Sequence, residues 1–128
     1  MEEKFENKNL TTVETAHGSF TIDTKRDKKI YENLERGVYH QEDTLELLSG
    51  ILNASSVFVD IGAHIGTLAI PLSKIASKTV AFEPVPATFD LLVKNTKHFI
   101  RAMNSNIFRH PKFCPLNAAM DRPSWELS

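Results

Sequence analysis

The sequence lacks several features that mark particular classes of protein. It has one cysteine in 128 residues, which excludes an internal disulfide and a zinc site built on several cysteines. No apolar run approaches the roughly 20 residues that a membrane-spanning helix needs, and the polar start Met1–Lys4 is unlike a signal peptide. The histidines lack the spacing of a metal site. We therefore expect a cytoplasmic protein with no membrane partner and no bound metal.

The chain also lacks a strong charge of either sign. Its net charge is -1 with histidine neutral, and its 41% hydrophobic and 24% charged residues are typical of a globular protein. Such a chain has no overall field that would attract nucleic acid. The short basic pairs Lys25-Arg26 and Lys28-Lys29 are interpreted as solvated surface. The composition thus predicts no nucleic-acid partner.

The hydrophobic pattern divides the chain into four parts. We predict a loose N-terminus over 1–10, a β-hairpin and two short helices over 11–53, a partial Rossmann-like domain over 54–120, and a tail over 121–128. The hairpin is indicated by alternating apolar and polar residues on both sides of Gly18, which supplies the turn. The two helices are indicated by apolar residues at helical spacing.

The pattern changes period in the third part. Val57–Val59 is a continuous β-branched run, typical of a strand buried on both faces of a parallel sheet. A helix reaching Ile75 should follow, then a strand at Thr79–Phe82, a second helix from Pro86, and a weaker third strand over Lys112–Met120. Alternating strands and helices predict an α/β fold, the beginning of a doubly wound sheet with about three parallel strands.

A glycine-containing turn follows the first of these strands, where Val59–Gly66 has the sequence VDIGAHIG. Gly62 permits a sharp turn and lets the backbone approach a ligand closely, and Gly66 permits close passage at the start of the helix. Helix N–H groups there point into the crevice. Asp60 places a carboxylate at the end of the strand, where it suits the ammonium group of S-adenosylmethionine (SAM), directly or through water.

A second acidic residue, Glu83, ends the second strand 21 positions after Gly62. A carboxylate at this place can accept hydrogen bonds from both hydroxyls of a ribose. The two strand ends together predict a SAM site. Its candidate cofactor-binding residues are Asp60, Gly62, Ala63, His64, Gly66, Glu83 and Pro84.

Two other interpretations of this segment stay open. A dinucleotide-binding turn has the pattern G-x-G-x-x-G with an acid about 20 residues later. Here Asp60 occupies the first glycine position, and its carboxylate would repel a pyrophosphate. A nicotinamide or flavin enzyme is therefore the weaker alternative, and a purely structural α/β turn is the other. A P-loop is excluded because no Gly-Lys-Ser/Thr follows the glycines.

Four stretches resemble the FkbM-type SAM-dependent methyltransferases, over roughly residues 12–97. They are the Gly18 hairpin with the following helix that contains Asp27, the lead-in Tyr39–Glu42, the segment Val59–Gly66, which is similar to V-D-V-G-A-N-x-G, and Phe82–Pro86, which is similar to F-E-P-x-P. His64 stands where the family usually has asparagine. Leu116–Ala119 resembles the end of the family's third strand near the adenine, which adds Asn117 and Ala118 to the cofactor-binding residues.

The resemblance implies O-methyl transfer from SAM to a hydroxyl of a sugar or secondary metabolite, so that the partner would be a small-molecule or glycan acceptor. No residue stands out as a general base, and the catalytic residues stay unassigned. The family continues with a fourth strand beside the first and an acidic motif, neither of which follows here. We therefore expect a truncated chain whose exposed first-strand edge is open to self-association. A non-catalytic or degenerate fragment of the fold is the alternative.

Overall fold

The computed structural model of the protein describes residues 8–104 and 112–116. The helices and strands are, in chain order, β1 (Leu10–Thr15), β2 (Gly18–Asp23), α1 (Lys28–Glu35), α2 (Glu42–Ile51), β3 (Val57–Ile61), α3 (Ala69–Leu72), β4 (Lys78–Phe82), α4 (Pro86–Asn104) and β5 (Lys112–Leu116). β1 and β2 pair antiparallel, and a separate parallel sheet has the order β3-β4-β5. The predicted α/β fold with a preceding hairpin and two helices is confirmed.

The hairpin belongs to the main core. Val13, Phe20 and Ile22 alternate with polar residues along β1 and β2 and are buried. They join one apolar cluster with Ile65 from the loop after β3 and Leu91 from α4. The hairpin therefore packs directly against the part of the chain that should hold the cofactor.

The parallel sheet is covered by helices on one face. In the register of β3 and β4, Phe58 and Ala81 share a face. They pack in a cluster with Ala69 of α3 and with Phe89 and Leu92 of α4. Both helices thus hold the strands in place, so that the carboxyl ends of β3 and β4 lie side by side.

The helix after β3 is shorter than predicted. We expected it to reach Ile75, but α3 ends at Leu72. The hydroxyl of Ser73 donates to the carbonyl of Ile70 at 2.6 Å, which competes with continued helix. The amide of Ile75 then bonds three residues back to Leu72. These contacts form turns, which return the chain to β4.

The outer edge of β3 is unpaired within the described residues, as the sequence predicted. On the face away from α3 and α4, Val57, Val59 and Ile61 are 61%, 50% and 84% exposed. The prediction of a strand buried on both faces is therefore wrong for the described residues. Leu47 and Ile51 of the preceding helix α2 are 64% and 63% exposed. These five side chains are exposed apolar surface in the described part of the chain. Self-association through this edge stays a prediction.

None of the helices in the described part of the chain is long and apolar enough to cross a membrane.

One buried polar side chain joins three parts of the fold. Asn95 of α4 is 1% exposed. Its carbonyl accepts from the Thr21 amide at 2.8 Å, and its NH₂ donates to the carbonyls of Thr21 at 3.1 Å and Ile65 at 3.0 Å. Asn95 therefore links the hairpin and the loop after β3 to the helix.

We expect Asn95→Leu to lower the free energy of unfolding by about 3 kcal/mol or more, because three buried backbone groups lose their partners. Chemical denaturation measures this change. Asn33→Leu on α1 is the control: it removes a hydrogen bond from Arg36 that is exposed, and we expect a change within about 0.5 kcal/mol. Equal effects of the two substitutions would contradict the linking role of Asn95.

Candidate cofactor site at the carboxyl ends of β3 and β4

The loop after β3 is fastened to the end of β4 through its backbone. The amides of Gly62 and Ala63 both donate to the carbonyl of Phe82 at 2.8 Å. Gly62 has φ of +88° and Gly66 has φ of +98°, a region that glycine enters without steric cost. The loop therefore turns sharply at the point where two parallel strands end, which is where ligands bind in open α/β sheets.

Gly66 also meets a packing requirement. A Cβ atom on this residue would lie 2.5 Å from Cδ1 of Ile70 and 3.1 Å from Cδ1 of Leu92. Both neighbours are buried. Around Gly62, by contrast, an added Cβ would meet nothing within 4 Å. Gly62 is thus needed for its backbone conformation alone, and Gly66 for its conformation and for the approach of α3 and α4.

Glu83 is buried at the end of β4, only 6% exposed. Its Oε1 accepts from the His64 amide at 2.9 Å and its Oε2 from the Val85 amide at 3.0 Å. The carboxylate therefore holds the loop after β3 and the turn after β4 together, a contribution to the fold that the sequence did not reveal. Each oxygen keeps a further lone pair, so a ribose hydroxyl could still be bound.

Asp60 and Glu83 form a pair of like charges. Burial of Asp60, followed by the negative charge of Glu83, raises the pKa of the Asp60 carboxyl. Among the described residues, neither carboxylate has a lysine or arginine partner in an ion pair. Two adjacent carboxylates without a cation favour a positively charged ligand. They would repel the pyrophosphate of a dinucleotide, which disfavours a nicotinamide or flavin cofactor at this place.

His64 adopts a left-handed conformation, with φ of +57°, which is uncommon outside glycine. Its ring Nε2 lies 3.1 Å from Oδ1 of Asp27, the residue before α1. The Asp27 side chain is 12% exposed, and its Oδ2 has no hydrogen-bond partner within the described part of the chain. Side chain and backbone thus hold His64 in this conformation from both sides.

The lead-in to α2 touches the same loop. The Tyr39 hydroxyl donates to the carbonyl of Thr67, and the Thr67 hydroxyl donates to Oε1 of Gln41 at 2.9 Å. Burial and the charge of Glu42 raise the pKa of Tyr39 above its ordinary value. Its hydroxyl is therefore held even more firmly in the protonated, hydrogen-bond-donating form. Burial, followed by the nearby His64, lowers the pKa of His40. The sequence marks Tyr39–Glu42 as a family-like lead-in but does not predict this contact.

The remaining predicted residues are distributed differently. Ala63 is buried and Pro84 is exposed. Asn117 and Ala118 lie outside the described residues. Two cavities, of about 280 and 350 Å³, lie against the hairpin and away from the strand ends. The described residues contain no group of three histidine, cysteine, aspartate or glutamate side chains placed to hold a metal ion.

Comparison with known proteins gives matches in structure alone. No protein-family model and no curated protein sequence matches the chain. The tRNA m1G37 methyltransferase of M. jannaschii matches with a TM-score of 0.59 and 19% identity, over 89% of this chain and 31% of that one. TYW2 of M. jannaschii in complex with AdoMet matches with a TM-score of 0.61 and 22% identity, over 92% of this chain and 47% of that one.

A third match is aTrm5 in its complex with tRNALeu, with a TM-score of 0.61 and 20% identity over 89% of this chain and 29% of that one. The chain therefore shares the fold of these three proteins and spans less than half the length of each. The FkbM family specifically is not among these three. The prediction of no nucleic-acid partner is wrong in its premise, because two of the matching proteins act on or bind tRNA. Net charge was the wrong guide, since phosphate binding depends on where cations cluster rather than on their sum.

Proposed function

We propose that this chain forms the SAM-binding half of a SAM-dependent methyltransferase. The observation that carries the proposal is the carboxylate pair of Asp60 and Glu83, which has no cationic partner among the described residues. SAM brings two positive charges, on its ammonium and sulfonium groups. A cationic cofactor would relieve the repulsion between the carboxylates, whereas the anionic nicotinamide dinucleotides would increase it.

The residues have distinct tasks in this proposal. When bound, SAM supplies a methyl group that its sulfonium already activates. Asp60 would hold the ammonium group, Glu83 would accept from the ribose hydroxyls, and the backbone from Gly62 to Gly66 would line the cofactor. The chain thus contributes binding and orientation. Among the described residues we assign no catalytic base.

Two classes of methyl acceptor are in play. The FkbM resemblance favours a hydroxyl of a sugar or secondary metabolite, but the structural matches lend that acceptor no support. A nucleic acid is the second candidate. It is favoured by a specific observation: residues 25–29 carry four exposed cations, and Asp27 among them bonds to His64 of the loop after β3.

The proposal is tested by titrating the chain with SAM and, separately, with NAD in a calorimeter. We expect saturable binding of SAM and none of NAD. In thermal denaturation, SAM at one hundred times its Kd should stabilise the protein by about 2.7 kcal/mol. Stabilisation by NAD instead would favour the nicotinamide alternative. No binding of either would favour a degenerate fragment of the fold.

A further inference from the structure

Four exposed cations lie between the end of β2 and the first turn of α1. Lys25, Arg26, Lys28 and Lys29 are all exposed, and together with the partly buried Asp27 they form what we call the basic turn, residues 25–29. Lys28 lies 3.9 Å from Glu32, with both side chains more than half exposed, so this pairing is weak. The turn therefore presents a concentrated positive charge on a chain whose net charge is -1.

The tertiary structure places the basic turn beside the candidate cofactor site. Asp27, at its centre, bonds to the ring of His64 at 3.1 Å. His64 lies in the loop after β3, and its amide donates to Glu83. The residue at the centre of the basic turn therefore contacts the loop that should hold SAM. The same loop is bonded to Glu83 of the carboxylate pair, so opposite charges are carried by segments that meet at this loop.

The turn is also rigidly built. Oδ1 of Asp23 accepts from the amides of Lys25 and Arg26, each at 3.0 Å. The amide of Asp27 donates to the Asp23 carbonyl at 2.9 Å. The backbone that carries Lys25 and Arg26 is therefore fastened to the end of β2. A preorganised site binds at a lower entropic cost than a mobile one.

The turn departs from the rules that stabilise a helix start. Asp27 occupies the N-cap of α1 but makes no side-chain capping bond, and the first turn has no acidic residue. Lys28 and Lys29 instead lie at the positive end of the helix dipole, where cations are unfavourable. Local rules are broken mainly where function requires it. Here the carboxylate of Asp27 is turned to His64, and the cations are kept together.

We propose that the basic turn is the phosphate-binding rim of the acceptor site, and that the acceptor is a nucleic acid held through its phosphodiester groups. This inference rests on the proposed function, since the acceptor is the molecule that would receive the methyl group of SAM. The shared chemistry fits RNA and DNA alike. A neutral sugar or secondary metabolite would gain nothing from four cations beside the cofactor loop.

Fluorescence anisotropy with a labelled, unmodified tRNA transcript tests the rim, with a DNA duplex of similar length as the second arm. We compare Lys25→Gln/Arg26→Gln with Lys94→Gln/Lys97→Gln, which removes the same charge from exposed positions on α4. The first pair should weaken tRNA binding about tenfold and reduce the slope of log K against log salt by about 1.4 to 1.8. The control pair should stay within about twofold.

A preference for tRNA over the duplex would identify RNA as the source of the phosphates, and the reverse would identify DNA. Equal losses from both double variants, or no binding to either polymer at about 50 mM salt, would overturn the proposal. Melting curves confirm that both variants fold. SAM calorimetry on the same samples separates the two proposals. Binding of tRNA without binding of SAM would refute the proposed function and leave only the phosphate-binding role of the basic turn.

Discussion

Replacement of Asp60 by asparagine should weaken SAM binding about 10- to 100-fold, which corresponds to the loss of a charge-assisted hydrogen bond of about 1.5–3 kcal/mol. The same substitution should raise the melting temperature of the protein without ligand. Asparagine keeps the shape of the side chain and removes the repulsion from Glu83, which contributes to the raised pKa of Asp60. A gain in stability and a loss of binding from one change are expected of a residue kept for function.

The sign of the pH dependence follows from the raised pKa of Asp60. The folded protein binds this proton more tightly than the unfolded chain, so the contribution of Asp60 to stability falls as pH rises from the ordinary carboxyl pKa through the raised one. The difference in melting temperature between D60N and the unchanged protein should therefore be largest near neutral pH and vanish in acid. SAM affinity of the unchanged protein should rise as pH rises over the same range, because binding needs the ionised carboxylate.

Calorimetry and melting curves from acid to neutral pH check both trends. Asp43→Asn is the matched control, since Asp43 is exposed in the first turn of α2 and should leave SAM binding unchanged. If D60N bound SAM as tightly as the unchanged protein, the ammonium-binding role of Asp60 would be refuted. If D60N were also less stable at neutral pH, the carboxylate pair would have no cost for SAM to relieve.

Gly66→Ala should destabilise the protein strongly, by about 2–6 kcal/mol. A non-glycine residue at φ of +98° costs about 1–3 kcal/mol. The new Cβ would also lie 2.5 Å from Cδ1 of Ile70, and overpacking a buried site costs typically about 1–3 kcal/mol. Because the loop after β3 would have to shift, SAM affinity should fall as well.

Urea denaturation measures this change, with Gly50→Ala as the control. Gly50 is helical, in α2, and a Cβ there would meet nothing within 4 Å. Alanine at such a position should stabilise the protein by about 0.5–1 kcal/mol. A loss of stability at Gly66 and a gain at Gly50 would show that packing and backbone conformation decide the effect at Gly66, and chain entropy the effect at Gly50. If Gly66→Ala lowered the free energy of unfolding by less than about 1 kcal/mol, the Ile70 side chain would be able to move away from the new Cβ at little cost, and the packing requirement at Gly66 would be refuted.

Much of the fold follows from local sequence patterns. Alternation in β1 and β2, the β-branched run at Val57–Val59 and the glycines at Gly62 and Gly66 each act on a few neighbouring residues. Such patterns fix backbone preferences before the chain collapses. The position of Asp60 at the end of a parallel strand followed in the same way. The main local error, the length of α3, arose because the Ser73 hydroxyl competes with the helix at one point.

The sequence by itself thus determined that two carboxylates end adjacent parallel strands, with a glycine turn between them. It left open what surrounds them. The tertiary structure decided that Asp27 meets His64 across 37 positions of chain, and that Asn95 meets Thr21 across 74. These contacts depend on how the hairpin packs against the core, which no local periodicity encodes. For that reason the basic turn, interpreted from sequence as solvated surface, meets the loop after β3 through Asp27.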